Sequence, residues 1–242
     1  MGAADVDRSF QIQATGRDRA GNEAVAIPGT ARADGVAPQL GELRVSPERV
    51  RAGVPFTVSF DVDDPDAVLR VLVAGREMEA QDPPEEGFDR SFRYTPREGD
   101  AEGEQPVTVQ VTDLAGNSAQ ASAAVVFDFR APVLRLTVEP AGRPARAEEE
   151  LRVTVSSDEP VAPEALELAH GGLALEADEV GADDGGRTIT SRTWTYPVPD
   201  HEPYTEVQVV ATARDAAGNE AEPLRAGVEV DGVAPEIGRA HV

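Results

Sequence analysis

The stretch Asp113-Leu-Ala-Gly-Asn-Ser-Ala119 decides the fold, because its pattern occurs three times in the chain. The sequence Asp-x-Ala-Gly-Asn stands also at 18–22 and 215–219, so the copies are 95 and 102 residues apart. Self-similarity at a fixed period is the signature of a repeat architecture. A second motif, Asp-x-x-Ala-Pro, follows each copy at 34–38, 128–132 and 231–235. The two motifs together define a unit of about 95 to 102 residues.

The spacing of the two motifs divides the chain into four segments. Residues 34–128 and 129–231 each hold a complete copy of the unit. Residues 1–33 match the last part of an earlier copy, and 232–242 match the first strand of a later one. We therefore expect a section of a longer tandem array, with an export signal further upstream.

Alternating hydrophobic residues predict strands within each copy. Val107, Val109 and Val111 share one strand face, and Val207 and Val209 repeat this pattern in the next copy. About seven short strands per 100 residues indicate an all-β chain of two-sheet sandwiches, with one core aromatic residue each, Phe92 or Trp194. The predicted strands are 39–45, 54–62, 67–74, 88–95, 106–112 and 118–127, then 133–138, 151–157, 165–169, 188–197, 205–214 and 220–230.

The residues of the two motifs suit tight connections. The Asp side chain of Asp-x-Ala-Gly-Asn can accept hydrogen bonds from backbone N–H groups two residues on, which is an Asx-turn. Gly116 and Gly218 can adopt a positive φ without steric cost. In the second motif, proline restricts the preceding Ala37, Ala131 or Ala234 to extended geometry, which predicts a short, stiff linker.

Composition and motif content argue against several functions. The net charge of −23 repels nucleic acid and anionic membranes, and the absence of cysteine excludes disulfides and thiolate chemistry. No apolar run approaches the roughly 18 residues of a membrane-spanning helix. His170, His201 and His241 lie in unrelated positions, and the sequence contains no G-x-S-x-G, H-E-x-x-H, Walker or dinucleotide-binding motif, so we expect no enzyme activity. Among the aromatic residues, Tyr204 is the one to test as a carbohydrate contact.

The order of the motifs resembles the bacterial Ig-like repeats of large surface adhesins. A strand ending in Asp-x-Ala-Gly-Asn is followed by Asp-x-x-Ala-Pro and then by a strand reaching Ser157-Asp-Glu-Pro-Val161. The resemblance implies an extracellular or cell-surface stalk, whose partners are neighbouring repeats and a cell-surface or carbohydrate ligand. The alternative is a spacer or carbohydrate-binding module of a secreted hydrolase.

The resemblance also implies Ca²⁺ at the domain junctions. In an Ig-like sandwich the linker, the loop between the second and third strands and the last hairpin turn lie at one end, so their acidic residues should converge. Carboxylates are preferred Ca²⁺ ligands. The alternative is that each acidic residue only caps a turn and faces water. The predicted ligands are Asp34, Asp63, Asp64 and Asp113 at the first junction, and Asp128, Asp158, Glu159 and Asp215 at the second.

Overall fold

The chain folds into two compact units, 1–127 and 128–242. The computed structural model describes residues 8–24, 28–177 and 187–235. Most of the predicted first strand of a further repeat, 236–242, lies outside the described residues. Among the described residues, no helix is long and apolar enough to cross a membrane.

The first unit begins with a two-stranded hairpin. Strand β1 (Arg8–Ile12) pairs antiparallel with β2 (Gly29–Ala33), and Phe10 stands opposite Ala31. The turn between them contains the first Asp-x-Ala-Gly-Asn motif. The two strands form a two-stranded sheet of their own.

A sandwich of two sheets makes up the rest of the first unit. One sheet has the strand order β4-β11-β10-β6-β7, and the other has the order β3-β5-β9-β8. All pairs are antiparallel except β4 with β11, which is parallel. The strands are β3 (Arg44–Ser46), β4 (Arg49–Val50), β5 (Phe56–Phe60), β6 (Val68–Val73), β7 (Arg76–Glu77), β8 (Glu79–Ala80), β9 (Arg90–Tyr94), β10 (Gly103–Thr112) and β11 (Ser118–Phe127).

The second unit repeats this topology. Its sheets have the orders β12-β14-β17-β16 and β13-β19-β18-β15, and β13 pairs parallel with β19 as β4 does with β11. The prediction of an all-β chain of sandwich units is therefore confirmed. The strands are β12 (Leu134–Glu139), β13 (Ala145–Arg146), β14 (Glu150–Val161), β15 (Leu166–Ala169), β16 (Glu176–Ala177), β17 (Ile189–Pro197), β18 (Thr205–Ala213) and β19 (Leu224–Asp231).

The two cores differ in their aromatic content. The prediction of one core aromatic residue per copy is wrong for the first unit, where Phe56, Phe60, Phe92 and Phe127 are all buried. The rings of Phe56 and Phe127 meet edge to face at 6.0 Å. Among the described residues of the second unit, Trp194 is the one buried aromatic residue, and it lies among alanine, valine, leucine and isoleucine side chains. Period-2 alternation places Phe56 and Phe60 on the same face of β5 as the buried Val58, so both rings enter the core with it.

The first strand of the first sandwich is shorter than predicted. The sequence predicts a strand over 39–45, whereas β3 begins at Arg44. Upstream of it, Leu40 forms a single bridge with Val62, and Arg44 pairs with Ser59. The pairing therefore shifts by one residue between these points, which is the behaviour of a β-bulge.

A second correction concerns the Asp158-Glu159-Pro160 segment, which the sequence predicts as a loop. It lies instead at the end of the twelve-residue strand β14. The pairing of β14 with β17 shifts register between Ser156 and Val161, as in a β-bulge. The residues between them do not pair with β17, but the strand continues through them. Strand β19 also begins late, at Leu224 instead of residue 220, because Pro223 has no N–H to donate.

Candidate metal centre

The Asx-turn prediction is confirmed in all three copies of the first motif. Asp215 Oδ1 accepts hydrogen bonds from the backbone N–H groups of Ala217 and Asn219, both at 2.8 Å. Asp113 and Asp18 accept the equivalent bonds in their own turns. Gly218, with φ 89°, occupies the left-handed region that favours glycine. The motif therefore folds as a local unit wherever it occurs.

The asparagine of the motif connects the turn to the linker, a role that the sequence analysis missed. Asn219 Nδ2 donates to Asp215 Oδ2 at 2.7 Å and to the backbone carbonyl of Asp128 at 3.0 Å. Asn117 donates in the same way to Asp113 Oδ2 and to the carbonyl of Asp34. The spacing of the two motifs carried this signal, because each asparagine reaches the aspartate of the Asp-x-x-Ala-Pro motif at the start of its sandwich.

The first acidic residue of each Asp-Asp-Pro or Asp-Glu-Pro segment holds the start of its sandwich. Asp63 Oδ1 accepts the N–H of Gln39 at 2.7 Å, and Asp158 Oδ1 accepts the N–H of Val133 at 2.7 Å. Both donors, Gln39 and Val133, follow the proline of the linker by one residue. These two carboxylates therefore fix the position at which the linker joins the sandwich.

Three of the four residues predicted at the second junction come together. Asp128, Glu159 and Asp215 each offer one carboxylate oxygen, and these oxygens all lie within 4.8 Å of one another. Asp215 is buried, and the other two are half-buried. Asp158 is outside this group. In the part of the chain that the structure describes, this is the one group of three or more such ligands at that separation.

The four residues predicted at the first junction line one shallow depression, together with Pro38 and Pro65. Their carboxylates are not among the described groups that meet within 4.8 Å. Asp64 stands at the position of Glu159, but its side chain is one methylene shorter and its Oδ1 accepts the N–H of Asp66. The two sets therefore differ in residue type at this one position, where the side chain of Asp64 has the shorter reach. The first set is Asp34, Asp63, Asp64 and Asp113.

Hydrogen bonding keeps the turn carboxylate of the first sandwich ionised. The Asn117 side-chain amide is the main cause that holds the pKa of Asp113 below its ordinary value of 3.8, and backbone N–H groups add to it, while desolvation opposes them. A lowered carboxyl pKa stabilises the folded state above the ordinary value. This contribution is lost as the pH falls from 3.8 through the lowered pKa.

The group around Asp215 offers three carboxylates, which are ligands of the type that Ca²⁺ takes. Ca²⁺ binds six to eight oxygens at 2.3–2.6 Å, and carboxylates can each supply one or two. An ionised carboxylate has about four acceptor positions, and Asp215 uses three of them in its own turn. Backbone carbonyls and water would complete the shell. Oxygen ligands without nitrogen or sulfur favour Ca²⁺ or Mg²⁺ over zinc or copper.

The other candidate residues lie outside this group. Trp194 is 6% exposed and belongs to the core, whereas Tyr204 is 56% exposed at the start of β18. His170 follows β15, and His201 lies in the loop between β17 and β18. His241 is outside the described residues.

No family model and no curated protein matches the chain. Among similar solved structures are the fibronectin(III)-like modules of Clostridium thermocellum CbhA, at 16% identity and TM-score 0.39, covering 83% of this chain and 100% of that one. A Ca²⁺-stabilized adhesin of an ice-binding Antarctic bacterium gives 16% and 0.37, covering 93% and 56%. A tetra-tandem repeat from the extending region of a large adhesion protein gives 20% and 0.33, covering 93% and 57%. Because these TM-scores are below 0.5, the function proposed below rests on the residues of this chain.

Proposed function

We propose that the chain is a non-catalytic section of an extracellular stalk built from tandem Ig-like repeats. The observation that carries this proposal is the recurrence of the Asn-to-linker bond in both sandwiches, at 3.1 Å from Asn117 and 3.0 Å from Asn219. The side chains that the repeats share hold the linker and the first strand in place. A spacer element requires this role, because it works by fixing how each repeat connects to its linker.

Two further contacts that recur in both units also serve the fold. Arg90 and Arg192 stand at equivalent positions, and each donates to a proline carbonyl, Pro65 at 3.0 Å and Pro163 at 3.2 Å, although these two prolines are not counterparts. Tyr94 donates to Asp100, six residues on, and Glu202 stands in the same relation to Tyr196. Shared side chains that hold strands and corners are the expected pattern for a structural repeat.

Polysaccharide binding tests the stalk against the alternative of a carbohydrate-binding module. We expect the full chain to migrate unretarded in affinity gels that contain soluble cellulose derivatives, xylan, mixed-linkage glucan or alginate. Retardation that is lost in Tyr204→Ala would contradict the stalk proposal, because Tyr204 is the exposed aromatic side chain of the second sandwich. A fold control is the melting temperature of the variant, which a surface substitution should leave nearly unchanged.

The proposed stalk includes one Ca²⁺ bound by Asp128, Glu159 and Asp215. Without a cation, the like charges of three carboxylates at this separation repel one another. Asp128 is the linker residue and directly follows β11. A bound ion would therefore connect the linker to β14 and to the last turn, and would stiffen the point at which the second sandwich begins.

Calcium should raise the melting temperature of the second unit. For an affinity of about 10⁻⁴–10⁻³ M, 10 mM Ca²⁺ stabilises the bound state by about 1.4–2.7 kcal/mol. For a domain of this size the corresponding shift is about 5 °C or more. Differential scanning calorimetry and isothermal titration of the full chain measure both effects.

Isosteric variants identify the ligands. Glu159→Gln should abolish both the heat of Ca²⁺ binding and the rise in melting temperature. Asp64 is the counterpart of Glu159 in the first unit, and Asp64→Asn should leave the stoichiometry at one Ca²⁺ per chain. Binding that is insensitive to Glu159→Gln would contradict this site. A stoichiometry of two, reduced to one by Asp64→Asn, would show that the first predicted set binds Ca²⁺ as well.

A further inference from the structure

The N-terminal hairpin has the same internal geometry as the last two strands of each sandwich. Its turn contains the first copy of the Asp-x-Ala-Gly-Asn motif, and it lies in register with β18–β19 at an offset of 197 residues. Phe10 pairs with Ala31, as Val207 pairs with Val228 in the second sandwich. By this correspondence, Ile12 occupies the position of Val209.

The equivalent positions differ sharply in burial. Val209, the counterpart of Ile12, is 0% exposed, and Val207, the counterpart of Phe10, is half-buried, because the opposite sheet of their sandwich covers this face. Phe10 and Ile12 are 48% and 55% exposed. The hairpin therefore presents an apolar face that is more exposed than the same face of β18–β19, and no further strand among the described residues joins its two-stranded sheet.

We propose that this face accepts the complementary strands of an Ig-like repeat of the same type, and that it completes a sandwich with them. The intact repeats specify what the partner must supply. A strand like β6 would pair antiparallel with β1, a strand like β4 would pair parallel with β2, and a sheet like β3-β5-β9 would cover Phe10 and Ile12.

Charge supports this partner. Residues 8–33 contain four arginines and two acidic residues, which gives a net charge of +2 in a chain whose total is −23. Residues 34–102, which are the corresponding strand set of the first sandwich, contain sixteen acidic residues and eight arginines, a net charge of −8. A basic hairpin and an acidic strand set attract each other, whereas two hairpins of this charge repel.

The experiment adds the strand set to the chain in its natural order. Residues 34–102 are fused directly ahead of Arg8, so that β1 and β2 follow them as β10 and β11 do in the first sandwich. Hydrogen exchange with mass spectrometry compares residues 8–33 in the original chain and in the fusion. An isolated hairpin is marginal in water, so we expect its amides to exchange fast in the original chain and about 100-fold more slowly, or slower still, in the fusion.

Two substitutions on opposite faces of β1 provide the matched control. Ile12→Asp should abolish the slowing, because it places a carboxylate in the new core. Gln11→Asp, on the other face, should preserve it. Unchanged exchange in the fusion, slow exchange already in the original chain, or equal effects of the two substitutions would each overturn the proposal. A dimer of the original chain that Ile12→Asp dissociates would assign the face to a second copy instead, and would also overturn it.

Discussion

Replacing Val109 by aspartate should unfold the first sandwich and leave the second folded. Val109 is fully buried on β10, which lies between β6 and β11 in its sheet. An aspartate there must either bury an unpaired charge or take up a proton, and it also loses the packing of the valine side chain. Changes of this kind cost about 4 kcal/mol or more, a large share of the 5–15 kcal/mol that stabilises a domain.

Val209→Asp should have the same effect on the second sandwich alone. Val209 is fully buried on β18, within a core cluster that consists only of residues of the second unit. Calorimetry should show one of two transitions lost in each variant, and hydrogen exchange should identify which unit remains protected. The neighbouring residues supply the controls, because Thr108→Asp and Gln208→Asp place the same charge on the outer faces of the same strands. Loss of all cooperative melting in either core variant would contradict the independence of the units.

Local sequence patterns predicted the strands that valines define. The predicted strand 118–127 coincides with β11. Its partner β10 alternates between inward Val107, Val109 and Val111 and outward polar residues, which is the pattern of a strand with one buried face. The same rule failed where the ladder changes register. Bulges near Leu40 and after Ser156 depend on how two distant strands meet, and the sequence of one strand does not contain that information.

The candidate metal centre shows a similar division. The three motifs predicted that acidic side chains gather at one end of each sandwich, but they did not distinguish Asp158 from Glu159. The structure separates them, because the Asp158 carboxylate accepts the N–H of Val133 while the Glu159 carboxylate lies near those of Asp128 and Asp215. Neighbouring residues on a strand point to opposite faces, so the bulge in β14 decides which carboxylate reaches the group.

Replacing Trp194 by alanine should be the most damaging aromatic substitution in the second sandwich. Trp194 lies on β17 opposite Val153 and Ala177, and the Arg192 guanidinium stands 5.6 Å from the centre of its ring. Truncating a buried aromatic side chain costs about 3–5 kcal/mol, which lowers the melting temperature of this unit by about 10 °C or more. Trp194→Phe should cost less, because the first sandwich accommodates Phe92 at the same position.

Tyr204→Ala is the comparison that separates a core role from a binding role. Its side chain is mostly exposed, so the substitution should change the free energy of unfolding by no more than about 0.5 kcal/mol. Thermal melts of Trp194→Ala, Trp194→Phe and Tyr204→Ala, followed by circular dichroism, should therefore rank the variants by buried volume. If Trp194→Ala melted like the unmodified chain but lost an affinity for polysaccharide, its ring would serve as a binding platform. In that case the second sandwich would be a carbohydrate-binding module, because a stalk needs this ring only to fill its core.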